Sequence, residues 1–284
     1  MIPASGRRVK RVDMRSRQSL AFRLQPGRFE RLMANALRLA LVGVYTVVIG
    51  VPIILASFVD GGRLMLTLGR VWVRWILATF HIRVDVEGRE NVPTDAPVIL
   101  MLNHQSLVDI AAIVDTLPRS LSFRFVAKKE LVRVPIFGWA LVASRHIIID
   151  RGQRAKAVRS LHRAAERIRS GTSVIVFPEG TRSPTGSLRP FKSGPFHLAI
   201  EAQVPIVPVT VSGSQRITPK GSLVVHPGAV KIVYGKPIET RGQSLADRQS
   251  LKARVRAAII QGYDVGYQGP PQIEPVPDDD APGA

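Results

Sequence analysis

From Ile82 onward, short β-branched apolar runs alternate with segments of helical period, and this alternation constrains the fold more than anything else in the chain. Strands are expected at residues 82–86, 97–102, 124–127, 147–149, 173–177, 206–211, 223–225 and 230–234. Helices are expected at 107–117, at 153–170 (strongly basic and closed by Gly171), at 196–202 and at 245–263. Alternation of this kind predicts an α/β fold in which helices flank a mainly parallel sheet. In open sheets of that class, ligands bind at the carboxyl edge, where strands give way to loops. Residues that carry chemistry just after a strand therefore weigh most.

The chain upstream is different. Residues 39–59 contain no charge, and as a helix they would reach ~31 Å, roughly the thickness of a bilayer core. Gly43, Gly50 and Pro52 interrupt the run, Gly61-Gly62 makes a turn, and a second apolar stretch at 64–80 carries Arg70 and Arg74 one helical turn apart. Trp72 and Trp75 suit a headgroup-level belt, and the arginines suit snorkelling to phosphates. The pattern predicts a membrane-associated helical hairpin. Basic residues on both flanks keep its ends on the cytoplasmic side. A long basic region in front and no small-residue cleavage pattern behind make it a poor signal peptide.

Charge is the next constraint. The chain has 40 Lys and Arg against 21 Asp and Glu, a formal net of +19. Residues 1–38 hold ten Lys and Arg against Asp13 and Glu30, whereas the stretch from Asp264 onward has five acids and no base. Anionic lipid, an acidic carrier protein, coenzyme phosphates or nucleic acid would each match the basic part. Nucleic acid is disfavoured, because aromatic residues make up only 6% of the chain and no recognised binding motif is present. With no cysteine, disulfides, thiolate metal sites and cysteine nucleophiles are excluded.

Two blocks follow expected strands. Asn103-His104-Gln105-Ser106-Leu107-Val108-Asp109 places a histidine and a carboxylate five apart, and Phe177-Pro178-Glu179-Gly180-Thr181-Arg182-Ser183 is a compact charged turn. On a single helix His104 and Asp109 would point ~140° apart. With His104 in the loop and Asp109 in the first helical turn, the carboxylate reaches back to one ring nitrogen and leaves the other as a proton acceptor. The same spacing also fits Ser106 as N-cap with Asp109 in a capping box beside a loop histidine. Nucleophile-elbow, zinc-helix, phosphate-loop and dinucleotide fingerprints are all missing. A histidine base without a protein nucleophile has to activate a hydroxyl brought by substrate or water. Lys128, Arg151, Arg182 and Lys192 repeat cationic positions at strand ends, where they suit a phosphate.

Four blocks in order, His104–Asp109, "KKELVRVPIFG" with "IIIDR", "FPEGTRS" with "LRPFKSGPFHLAI", and "VPIVPV", resemble the glycerolipid acyltransferase family that includes 1-acylglycerol-3-phosphate acyltransferases. The resemblance implies that His104 and Asp109 are catalytic and makes Lys128 an oxyanion candidate. It implies an acceptor-phosphate site at Glu179, Gly180, Thr181 and Arg182, with Arg151 and Lys192 as further cations. It implies no metal and no cofactor: the acyl donor, acyl-CoA or acyl carrier protein, is a substrate, and the product is phosphatidic acid. The acceptors that remain open are 1-acylglycerol-3-phosphate, another lysophospholipid, glycerol-3-phosphate and a lyso-ornithine lipid. A catalytically silent membrane-bound lipid-binding protein is the rival outside enzymology. The expected organisation is a basic leader (1–38), the hairpin (39–80), the acyltransferase domain (81–265) facing the cytoplasm at the inner membrane, and a disordered acidic Pro-rich tail (266–284).

Overall fold

The structure, a computed structural model, describes residues 28–60, 63–149, 154–264 and 267. The expected tail, apart from Tyr267, and most of the expected leader lie outside them.

Helix α1 (Arg28–Asp60) and helix α2 (Arg63–Thr79) form the two arms of the hairpin. Helix α1 starts inside the expected leader and runs unbroken through Pro52. The arms pack through Ile49 and Ile53 against Met65. The Trp72 indole N–H donates to the Thr46 hydroxyl at 3.2 Å, and the Tyr45 and Trp75 rings meet edge-on at 5.0 Å. Among the large apolar residues that α1 leaves exposed, beside Phe29, Leu32, Met33, Val47 and Val59, are Leu37, Leu41, Val44, Val48, Val51, Leu55 and Phe58; these seven form one series. Steps of four and three place all of them on one stripe of a helix. Helix α1 is long and apolar enough to cross a membrane, and only 17% of its most apolar stretch is buried inside the protein.

The remaining elements, in chain order, are β1 (Ile82–Glu87), β2 (Ile99–Leu102), α3 (Val108–Thr116), β3 (Phe123–Lys128), α4 (Phe137–Ala143), β4 (Ile147–Ile149), α5 (Arg154–Arg169), β5 (Ser173–Val176), α6 (Gly194–Ala202), β6 (Ile206–Ser212), α7 (Ser214–Ile217), β7 (Gly228–Tyr234) and α8 (Arg248–Gln261). The seven strands make one sheet in the order β1-β7-β6-β2-β5-β3-β4. All neighbours are parallel except β6 and β7. The α/β class with a mainly parallel sheet therefore holds.

Alternation along β2 builds the core on both faces. Leu100 and Leu102 join Val73, Leu77 and Ile113 under α2 and α3, while Ile99 and Met101 join Ala165, Ile168, Phe196 and Val255 under α5, α6 and α8. Residues 223–225 do not form the expected strand. Their backbone is held by a helix side chain instead: Asn35 on α1 donates to Leu223 O at 3.1 Å and accepts from Val225 N at 3.0 Å. Helix α4 was not anticipated. Gly50 admits the turn before it, since a Cβ there would lie 2.6 Å from Ile136 Cγ2.

Candidate active site

The short central strand β2 ends at Leu102, and the next seven residues, a five-residue loop and the start of α3, carry the first charged block. This loop is pinned on every side. The buried Asn103 amide donates to Val211 O at 2.9 Å and accepts from Val211 N at 2.7 Å, tying it to β6. Gln105 Nε2 donates to Gly186 O at 2.7 Å and to the Tyr263 hydroxyl at 3.2 Å. The Ser106 hydroxyl donates to Thr218 O at 3.0 Å.

Asp109, fully buried in the first turn of α3, reaches back as expected. Its Oδ2 lies 2.8 Å from His104 Nδ1 and accepts from Gln105 N at 2.7 Å and Ser106 N at 2.9 Å. The Ser106 hydroxyl also accepts from Val108 N at 3.2 Å. The structure shows the histidine–carboxylate pair; the N-cap position is Leu107 rather than Ser106 and has no side-chain cap, while the same Asp109 oxygen also ties the Ser106 N–H. Asp109 holds Nδ1 as the protonated nitrogen and leaves Nε2 for the cavity that His104 lines.

The second block grips the same histidine through its backbone. His104 N donates to Glu179 Oε1 at 2.7 Å, Arg189 N donates to Glu179 Oε2 at 3.1 Å, and His104 O accepts from Ser183 N at 2.7 Å. The Phe177 ring stacks on the imidazole with centroids 4.0 Å apart. The turn closes at Gly180, whose φ of 74° is left-handed and favours glycine. Burial pushes the Glu179 carboxyl up to about 8, outweighing the two backbone donors that pull it down.

A cavity of about 400 Å³ opens from His104. Lys128, Gly180, Thr181, Arg182 and Lys220 line it together with His104, and the rest of its wall is largely apolar, supplied by Ile49 and Ile53 of α1, Met65, Leu66 and Trp72 of α2, Phe123 and Phe125 of β3, and Phe137 and Leu141 of α4. His146 is in the wall as well. It is buried, its Nδ1 accepts from Phe125 N at 2.9 Å, and desolvation pushes it down to about 3, so it stays neutral.

Of the expected site residues, His104, Lys128, Gly180, Thr181 and Arg182 share this cavity, and Asp109 stands behind the imidazole. Two expected residues are placed apart from the rest. Both Glu179 oxygens accept from backbone N–H groups inside the protein, and Glu179 is not in the cavity wall. Lys192 is exposed, lies outside the cavity wall, and has its backbone N–H on Pro178 O. Arg151 falls outside the described residues. Lys220 was missed, although it follows β6 at the same sheet edge that singled out Lys128. Among the described residues no group of three or more His, Asp or Glu side chains is placed to hold a metal ion.

A family model described as Acyltransferase matches residues 83–212. The human 1-acyl-sn-glycerol-3-phosphate acyltransferase alpha is 34% identical over 193 residues, which are 67% of each chain. A chloroplastic 1-acyl-sn-glycerol-3-phosphate acyltransferase of Brassica napus is 35% identical over 60% of this chain and 49% of its own. The chain thus spans about half the length of that plant relative. The crystal structure of the 1-acyl-sn-glycerophosphate acyltransferase PlsC from Thermotoga maritima superposes with a TM-score of 0.71 at 30% identity, covering 82% of this chain and 95% of the other.

Proposed function

The chain belongs to the glycerolipid acyltransferase family, and we propose that it transfers an acyl chain from acyl-CoA or acyl carrier protein to the sn-2 hydroxyl of 1-acyl-sn-glycerol-3-phosphate, giving phosphatidic acid. One observation carries the reading: the His104–Asp109 pair opens onto a cavity whose lining combines Lys128, Arg182 and Lys220 with a largely apolar wall. A lysophosphatidate hydroxyl, a phosphate and an acyl chain need those surroundings together.

His104 Nε2 takes the hydroxyl proton as the oxygen attacks the thioester carbonyl carbon. The imidazolium that forms faces Asp109. The carbonyl π electrons move to the oxygen, where Lys128 is the nearby cation for the oxyanion. Collapse breaks the C–S bond, and the leaving thiolate takes the proton back from His104. Arg182, Lys220 and Thr181 hold the acceptor phosphate; Arg182 is the group suited to bidentate binding. The apolar walls from α1, α2 and α4 take the acyl chain. No step calls for a metal or a cofactor. The exposed stripe of α1 embeds in the membrane, where acceptor and product reside. The basic chain keeps the catalytic domain at the cytoplasmic face of the inner membrane.

An acceptor panel tests this. Purified full-length protein in mixed micelles receives 1-acylglycerol-3-phosphate, glycerol-3-phosphate, lysophosphatidylcholine and a lyso-ornithine lipid, each with both donors. Acylation of 1-acylglycerol-3-phosphate above the others is expected. Faster acylation of another acceptor overturns the assignment.

A further inference from the structure

A second cavity, about 440 Å³, opens on another side of α2. Arg70 and Arg74 of α2 line it together with Arg89, Arg119, Asp115 and Leu117. Four guanidinium groups thus surround one carboxylate. Part of the crowding has a local cause, since the carbonyls of the segment that leaves α3, Leu117 to Arg119, accept from these arginines near the helix's negative end. Arg70 donates to Arg119 O at 3.1 Å and Pro118 O at 2.7 Å, and Arg89 donates to Leu117 O at 3.0 Å. Arg74 pairs with Asp115 at 2.8 Å.

Capping does not use the whole set. Arg70 Nε is buried with no acceptor, and among the described residues Arg119 makes no ion pair. The carbonyl bonds fix the Arg70 and Arg89 guanidinium planes and Asp115 holds Arg74, so three of the four cations are preorganised around an open volume. A doubly acceptor-rich anion completes such a set.

The surroundings indicate where that anion comes from. Arg74 precedes Trp75, which is 41% exposed and packs on Tyr45 of α1. An arginine–aromatic collar beside the apolar stripe of α1 is the composition of a headgroup-level belt. Helix α2 presents Met65, Leu66 and Trp72 to the catalytic cavity and Arg70 and Arg74 to this one, so the two volumes are separate.

We propose that the Arg70–Arg74–Arg89–Arg119 cavity binds the phosphate of an anionic membrane phospholipid, a phosphate monoester of the phosphatidic acid kind before a diester. A monoester carries close to two negative charges at neutral pH, and the net charge of the lining favours a dianion. The proposal rests on the membrane-bound reading of the hairpin. Bound there, the lipid holds α2 at the headgroup level without occupying the acyl chamber.

The test measures vesicle binding of the full-length His104→Ala protein, so no turnover alters the lipid. Vesicles are phosphatidylcholine alone, with phosphatidic acid, or with phosphatidylglycerol at matched surface charge. Phosphatidic acid is expected to tighten binding most. Arg74→Gln/Arg119→Gln, whose side chains are exposed and whose fold is checked by its melt, is expected to lose roughly tenfold or more of that gain and to bind neutral vesicles as before. Arg74→Lys/Arg119→Lys is expected to keep part of it. An unchanged gain in the Gln variant, an equal gain from phosphatidylglycerol, or abolition of the gain by inorganic phosphate or coenzyme A would overturn the proposal. Failure to bind any vesicle would overturn the membrane reading and this site with it. Absence of acyl transfer in the wild type would count against the catalytic reading alone.

Discussion

Replacing Asp109 with Asn isolates the carboxylate's charge from its hydrogen bonds. Oδ2 accepts from Gln105 N and Ser106 N and engages His104 Nδ1, whereas Oδ1 is buried without a partner. An asparagine can turn its carbonyl oxygen into the Oδ2 position and keep all three bonds, and with them the tautomer. The opposite orientation would aim an NH2 group at three donors. The favourable orientation leaves that NH2 buried and unsatisfied, at a cost of about 1–3 kcal/mol. What the variant then lacks is the charge opposite the imidazolium. For charges about 4 Å apart at an effective dielectric near 20, that is about 4 kcal/mol, on the order of a 10³-fold loss in rate. Steady-state kinetics should show kcat falling by that order with KM for the acceptor little changed, and a melt should show a loss of a few degrees. Asp109→Ala, which strands two buried N–H groups, should be less stable than Asp109→Asn. Activity of Asp109→Asn within about tenfold of wild type would refute the charge argument, and equal stability of the two variants would refute the role of Oδ2 in tying the loop.

Arg182→Ala should raise KM for 1-acylglycerol-3-phosphate by roughly 10- to 100-fold through loss of charge-assisted bonds. The KM for an uncharged monoacylglycerol should not move, which an acceptor comparison checks. Glu179 has a folded pKa of about 8 against an ordinary value of 4.5, so its contribution to stability is fully present below about pH 4.5 and is lost as pH rises through 8. Melting temperature measured from pH 5 to 9 should fall across that window, and Glu179→Gln should flatten the slope while lowering stability at pH 5. Gly69 lines the acyl chamber, and a Cβ there meets only Met65 Sδ at 3.6 Å. Gly69→Leu should therefore shorten the chamber and weaken preference for long donors by roughly fourfold per excluded methylene. Donor competition reads this, and an unchanged chain-length preference would count against the chamber.

The sequence makes legible what local chemistry specifies. The His104–Asp109 spacing could be read because the two residues sit on either side of one helix start, where the loop N–H groups of Gln105 and Ser106 draw the carboxylate back toward the loop. Lys128 and Arg182 could be read because strand ends share one edge of a parallel sheet. Glu179 entered the expected phosphate site through the family resemblance of the FPEGTRS block, not through its own surroundings. That its carboxylate turns inward depends on His104 N and Arg189 N arriving from elsewhere in the chain. Lys220 belongs to a connection whose place in the cavity wall is set by β6 and α7. Residues 223–225 have the composition of a strand, but Asn35, far away in sequence, takes their backbone groups. The chamber wall is also non-local, with α1, α2 and α4 meeting only after the hairpin docks through Gly50 and Ile136.

The most direct test of the central claim compares wild-type and His104→Ala proteins, purified and reconstituted in vesicles, for conversion of 1-acylglycerol-3-phosphate to phosphatidic acid with acyl-CoA and with acyl carrier protein as donors. The account predicts product from the wild type with at least one donor and a loss on the order of 10²–10⁴ in the variant. Equal rates from the two folded proteins would contradict it.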